Sequence, residues 1–328
     1  MKGHIIVSIY FGGGTPFLWG SSFVGRFLEL ILRDFSLDKG IEITIEANPE
    51  TISPKKLLEY RKLGVNRISI GVQSFQNSLL NILSREHSSQ RAVSAIEEAY
   101  IAGFKNISID LMYDLPTQNQ RDWYSSVNRA LCLPISHLSL YNLTFEPKTA
   151  FFARRSYWKM FLPSEEQSAF FYEWTIATLT NQKWEQYELS AFTFNGSYSL
   201  HNVGYWTGRP FIGMGPSAHS YWRGKRSKNL SSLFRYSQKL RNKLSPVDFS
   251  EELSTLERRR ELFVIRLRLL LPVSLREFQK EHGPLEENTL KKLGKLIQEE
   301  FIHSSSSGKI VLTNKGKRFY DWIASELI

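Results

Sequence analysis

The chain has 328 residues, 42% of them hydrophobic, enough to bury one large core with or without a satellite domain. No apolar run approaches the ~20 residues that a helix needs to cross a bilayer, and the start "MKGHIIVSIYFGGG" is too short in apolar residues to read as a signal peptide. Cys132 is the one cysteine, which excludes an intrachain disulfide and suits a reducing, cytoplasmic setting, while the net charge of +10 points to an anionic partner or to solubility alone.

In chain order, five β-rich runs stand out: "IIVSIYF" (5–11), "IEITIEA" (41–47), "RISIGVQ" (67–73), "NISIDLMY" (106–113) and "HLSLYNLTF" (137–145). Helix-length segments separate them. "SSFVGRFLELILRDF" carries apolar residues at helical spacing, and "SPKKLLEYRKLG" offers Ser53 as N-cap, Pro54 at the first helical position and Gly64 as a stop. "SSQRAVSAIEEAYIAGF" and "TQNQRDWYSSVNRALCL" follow the same plan, with Cys132 expected as a small buried hydrophobe. Strands joined by crossover helices pair in parallel, which predicts a β/α barrel or an open doubly wound sheet. "PSEEQSAFFYEWTIATLTNQ" then reads as a long helix capped by Ser164, "WEQYELSAF" as one strand, and "FIGMGPSAHSYW" as a glycine-rich cleft lining with His219 either a ligand contact or structural. From about Ser245 charged helices, a polar turn at Ser304–Ser307, a strand and a last helix predict a winged-helix-like domain.

In a parallel α/β architecture the C-terminal strand ends gather the chemistry. Here those ends carry GGGTP, Glu46, Gln73, Asp110 and the stretch Tyr141–Thr144. Parallel strands normally read as apolar throughout, and three polar groups left unpaired in a barrel mouth would cost about 1–3 kcal/mol each. A polar ligand site or a satisfied structural network accounts for them. The triglycine loop can present backbone groups to an amino acid, or be a tight turn. It is neither a phosphate-binding loop with Gly-Lys-Ser/Thr nor a dinucleotide fingerprint, since Phe17 stands where a spaced glycine should be.

The segments "YFGGGTP", "IEANPE", "RISIGVQSF", "SREH", "ISIDLMYDLPTQ", "LSLYNLTFEPKTAF", "YELSAF" and "HNVGYWTGRPFIGMGPSAHSY" resemble, in order and spacing, the radical S-adenosylmethionine proteins around oxygen-independent coproporphyrinogen III oxidase, and most of all the HemW-type haem-chaperone branch. The resemblance is close over about residues 5–225 and looser beyond. It implies a partial parallel β/α barrel lacking its first strand, with a small C-terminal winged-helix-like domain. The expected domains are 1–160, the partial barrel; 161–244, an extension holding the HNxxYW segment; and 245–328, the C-terminal domain, which the resemblance makes a lid or docking module instead of a DNA binder.

By position, Gly13, Gly14 and Thr15 match the loop that holds the methionine moiety of S-adenosylmethionine. Glu46, Gln73, Arg85, Asp110 and Thr144 match the rest of that cleft, with Arg85 a forked donor for a carboxylate or a surface arginine. "HNVGYW" resembles the HNxxYW motif, so His201 is the expected haem ligand and Tyr205 and Trp206 the flat faces beside a porphyrin; a core histidine among packing aromatics is the other reading. The family usually has glycine where this chain has Asp114, for which a local adjustment of the turn is expected.

The resemblance also implies a 4Fe–4S cluster on a CxxxCxxC loop, roughly 40 residues before GGGTP by one strand–helix unit. Only eleven residues precede Gly12 and none is cysteine. The cluster ligands are therefore expected upstream of Met1, in a longer form of the protein; natural loss of radical chemistry is the competing reading. The implied function is haem delivery to respiratory or other haem proteins, with S-adenosylmethionine, the cluster and haem as cofactors and an electron donor as a further partner. The alternative is radical oxidative decarboxylation of coproporphyrinogen III. No specific nucleic acid is expected, peripheral membrane contact is left open, and the oligomeric state is unknown.

Overall fold

The computed structural model describes residues 4–147 and 149–328. The chain divides into two compact units between His201 and Asn202.

The first unit is a seven-stranded sheet with helices on one face. Its elements begin β1 (Ile5–Phe11), α1 (Ser21–Asp34), β2 (Ser36–Ala47), α2 (Pro54–Lys62), β3 (Arg67–Gln73), α3 (Asn77–Ile82) and α4 (Ser89–Ile101). They continue through β4 (Asn106–Tyr113), α5 (Gln120–Leu131), β5 (His137–Asn142), α6 (Ala150–Ala153), α7 (Arg155–Lys159) and α8 (Glu165–Asn181). A hairpin of β6 (Glu185–Glu188) and β7 (Ala191–Thr193) follows, and then α9 (Leu200–Trp206). The strand order is β1-β2-β3-β4-β5-β7-β6. The first five strands pair in parallel, and β7 joins β5 antiparallel. This is the expected partial barrel, with an antiparallel edge added.

Side chains of a strand alternate between its two faces, and here the alternation separates core from site. Ile43, Ile45 and Ala47 of β2 join Ile68, Ile70 and Val72 of β3, Ile107, Ile109 and Leu111 of β4, and Leu138 and Leu140 of β5 in one core. Val24 and Leu28 of α1, Leu57 and Tyr60 of α2, and Ala92, Val93 and Ile96 of α4 pack against them. The opposite, inner face carries Glu42, Thr44, Glu46, Arg67, Ser69, Ser108, Asp110, His137 and Ser139, which face one another across the ladders. The strands are therefore apolar on one face only, not throughout.

Several helix ends follow the sequence closely. Ser164 forms a capping box with Gln167 at α8, and Asn119 does the same with Asp122 at α5. Gly64 ends α2 at φ +93, where a Cβ would be strained. Ser53 occupies the N-cap position of α2, but its side chain makes no capping bond.

Three local expectations need correction. "WEQYELSAF" is not one strand but the β6–β7 hairpin, reversing at Leu189–Ser190, where no glycine or proline announces a turn. Cys132 is exposed rather than buried, because it is the C-cap of α5 and the inward helix face ends at Ala130. The second strand begins at Ser36, five residues before the apolar run, because β1 pairs with it from Ile5–Ser36 onward across a register shift.

The second unit holds a small antiparallel sheet of β8 (His219–Trp222), β9 (Lys225–Asn229) and β10 (Val247–Glu252), with α10 (Leu233–Arg241) between the last two. Then come α11 (Thr255–Arg266), β11 (Val273–Ser274), α12 (Leu275–His282), α13 (Glu287–Gln298), the hairpin β12 (Ile302–Ser304) and β13 (Lys309–Leu312), α14 (Asn314–Arg318) and α15 (Tyr320–Leu327). The order helix, strand, two helices and a hairpin that pairs back on the first strand is the winged-helix plan. Ser305–Ser307 lies at the hairpin tip, with Ser304 still paired as the last residue of β12. His219 is exposed on β8, in this unit.

Candidate functional site

The site is built at the C-terminal ends of β1–β4. β1 delivers the triglycine loop, in which Gly13 (φ +86) and Gly14 (φ +80) take a left-handed backbone. A Cβ at either position would meet nothing within 4 Å, so the space over the loop is open to a ligand. Gly12 is glycine for another reason: a Cβ there would stand 2.7 Å from the Tyr10 ring and 3.2 Å from Glu46 Oε1.

Glu46 organises this corner. Its Oε1 accepts from the Tyr10 hydroxyl at 2.7 Å, and its Oε2 accepts from the Gly13 N–H at 3.0 Å. Burial, and then the neighbouring Glu46 carboxylate, push the Tyr10 phenol well above its usual range. Thr15 joins through its Oγ1, which accepts from Asn48 Nδ2 at 2.9 Å. Asn48 Oδ1 and Gln73 Nε2 both crowd the space that a side chain at Gly71 would need, at 3.2 and 3.0 Å. Gln73 itself is buried and held at φ +65, at an irregularity in the β3–β4 ladder. Such a conformation costs a non-glycine residue roughly 1–3 kcal/mol, and strain of this kind gathers at working sites.

Asp110 completes the set from β4. Burial raises its carboxyl to about 6, against hydrogen bonds from Ser139 and Ser69 that hold it down. The charge of Glu46 adds to the rise, and Arg67 opposes it. Arg85 follows α3; it is half-buried, and its guanidinium has no hydrogen-bond or ion-pair partner among the described residues. Gly13, Thr15, Glu46, Gln73 and Asp110 thus come together, with Gly14 beside Gly13. Thr144 makes no side-chain hydrogen bond to these residues and is exposed two residues beyond the end of β5.

His201, at the start of α9, meets the same network. Its ring stacks on Tyr10 at 4.7 Å and 22°, and its Nδ1 lies 3.2 Å from Ser8 Oγ. Glu42, buried on β2, accepts from the Leu200 and His201 backbone N–H groups at 2.9 and 3.0 Å. Arg67 faces Glu42 at 4.0 Å, both almost fully buried. Deeper on the inner face, His137 lies 2.8 Å from both Ser108 Oγ and the Tyr187 hydroxyl, and burial keeps its imidazole well below the usual range and neutral. Tyr205 and Trp206 belong to the second unit. There Tyr205 packs edge-on to Phe211 at 4.6 Å, and the Arg268 guanidinium lies over the Trp206 ring at 4.4 Å.

Sequence reasoning missed Tyr10, Asn48, Glu42 and Arg67. The signal was present in the alternation of "IEITIEA" and "RISIGVQ", which puts Glu42, Thr44, Glu46, Arg67 and Ser69 on one face. Asp114 takes the turn conformation that glycine would, at φ +60. Its Oδ2 accepts from Asn142 Nδ2 and Ser168 Oγ, both at 2.5 Å, while burial raises its carboxyl.

The polar cradle fits S-adenosylmethionine: an open glycine backbone and carboxylates suit a cationic amino-acid head and ribose hydroxyls. The cluster is a different case. Among the described residues no three His, Cys, Asp or Glu side chains gather as a metal site, so these residues do not supply its ligands.

Comparison with known proteins gives a consistent picture. The radical SAM superfamily profile matches residues 2–130, and the HemN C-terminal domain profile matches residues 253–319. A Bacillus subtilis (strain 168) protein named Heme chaperone HemW is 33% identical over 311 residues, covering 94% of this chain and 82% of the relative. The protein of the same name from Lactococcus lactis is 37% identical over 229 residues, covering 70% of this chain and 60% of the relative. Among solved structures, coproporphyrinogen III oxidase (HemN) from Escherichia coli, described as a radical SAM enzyme, matches with a TM-score of 0.85. That match covers 99% of this chain and 78% of the other at 24% identity, a likeness of fold.

Proposed function

Because the chain belongs to the HemW family of radical S-adenosylmethionine proteins, we propose that it is a haem chaperone that binds S-adenosylmethionine at its strand ends and haem at His201. S-Adenosylmethionine brings a sulfonium and an amino-acid head to the cradle. Glu46 and the Gly13 backbone receive the ammonium or ribose hydroxyls, Arg85 faces the carboxylate, and Asp110, ionised by the approach of the cation, balances the sulfonium. Thr15, held by Asn48, and Gln73 shape the pocket floor. Haem is the cargo: the His201 imidazole supplies a nitrogen ligand for its iron, for transfer to haem-accepting proteins in the cytoplasm.

The observation that carries this reading is the stacking of His201 on Tyr10, the residue whose hydroxyl holds Glu46. This contact supports the reading by linking His201 to Tyr10 and Glu46 within one unit. The test is haem titration followed by Soret absorbance, with the parent chain and His201→Ala. The variant should bind at least about tenfold more weakly, the loss of one good ligand contact. Equal affinities would remove His201 from the haem site.

A further inference from the structure

From Leu189 to Val247 the sequence contains no aspartate or glutamate and nine lysines and arginines, so this stretch accounts for nearly all of the chain's +10 charge. Part of that charge is neutralised locally: Arg226 on β9 pairs with Glu251 and Glu261. The charge on α10 and the turn after it is not. Arg235, Lys239, Arg241 and Lys243 form no ion pair among the described residues.

The same helix leaves its apolar side chains in solvent. α10 buries no residue at all. Leu233 is 68% exposed and Phe234 75% exposed, and Leu240 and Leu244 continue the apolar row at helical spacing. The helix is nevertheless well formed. Ser232 caps it by accepting from the Arg235 N–H, and Tyr236 anchors it by accepting from the Gly215 N–H at 3.1 Å.

We propose that α10 is a docking helix for an anionic lipid surface. Unpaired cations flanking exposed leucines and a phenylalanine are what an interfacial helix needs: the charges meet acidic headgroups and the apolar row enters the acyl boundary. A second copy of the chain is a poorer occupant, because it would oppose two faces of like charge. A nucleic acid backbone would take the cations and leave the leucines in water. The proposal rests on α10 alone and is independent of the haem and S-adenosylmethionine reading.

The experiment is co-sedimentation of the whole chain with phosphatidylcholine vesicles, with and without phosphatidylglycerol. Binding is expected only to the anionic vesicles and should weaken as salt rises. Two variants, Arg235→Glu with Lys239→Glu and Leu233→Ser with Phe234→Ser, should each lower the partition coefficient at least about tenfold, charge and apolar contact both being required. All four positions bury nothing, so circular dichroism should show the fold intact. Variants that sediment like the parent, or a parent that ignores anionic vesicles, would overturn the assignment. So would a parent that self-associates through α10, or that binds duplex DNA and not lipid.

Discussion

Replacing Asp110 by asparagine should stabilise the ligand-free chain at neutral pH and change little near about pH 4. The Asp110 carboxyl moves from its ordinary 3.8 in the unfolded chain to about 6 in the fold, chiefly through burial. Below both values the group is protonated in either state and has no effect. Between them the unfolded chain releases its proton while the native chain keeps it, so native stability falls as pH rises. Above about 6 the loss is complete. A shift of that size at 1.36 kcal/mol per unit amounts to ~3 kcal/mol. Asparagine cannot ionise and escapes this loss, though it gives up charge-assisted bonds from Ser69 and Ser139. The assay is urea unfolding of parent and variant at steps from about pH 4 to pH 7, reading the difference between the two curves. That difference should move by ~3 kcal/mol in the variant's favour across the range. A difference constant to within ~1 kcal/mol would refute the burial argument. The proposed cleft gives a second readout: a cationic ligand at Asp110 would lower its pKa, so binding should tighten as pH rises through about 6 in the parent and stay flat in the variant.

Two further substitutions probe the frame of the site. Glu42→Ala removes the carboxylate that faces Arg67 and receives the first N–H groups of α9, and should cost about 3–5 kcal/mol in urea unfolding, with Glu42→Gln losing less; a loss under ~1 kcal/mol would show that the pair is not a determinant of stability. Gly12→Ala puts a methyl into the Tyr10 ring and should abolish nucleotide binding measured by calorimetry, whereas Gly13→Ala faces open space and bears only the left-handed strain of about 1–2 kcal/mol; equal effects of the two would argue against the close approach at Gly12.

Much of this architecture was readable before any coordinates. The strand limits 67–73 and 106–113 match the observed β3 and β4 residue for residue, because each run is apolar at every second position and bounded by turns. The capping residue Ser164 is an equally local signal. Where reasoning failed, the cause was long-range. Tyr10 reads as one more apolar residue until Glu46, thirty-six positions away, accepts a hydrogen bond from its hydroxyl. Glu42 and Arg67 lie near the starts of the runs 41–47 and 67–73, and only folding brings them together, buried, with Glu42 receiving the Leu200 and His201 N–H groups. Cys132 went the other way: "ALCLP" suggests a core position, but the C-cap of α5 is exposed. The hairpin at Leu189–Ser190 had no turn residue to mark it.

The two-sided strands carry a consequence for how this chain can change over time. In β2, odd positions from 43 to 47 hold the helices on while even positions from 42 to 46 meet the cradle; β3 and β4 divide their labour with a similar two-residue beat. Adjacent residues therefore answer to different selective pressures. A saturation scan along any of these strands should yield two interleaved combs: one that ruins expression yield, and one that leaves yield largely intact and ruins ligand capture. New chemistry can be written on one comb while the other keeps the protein standing.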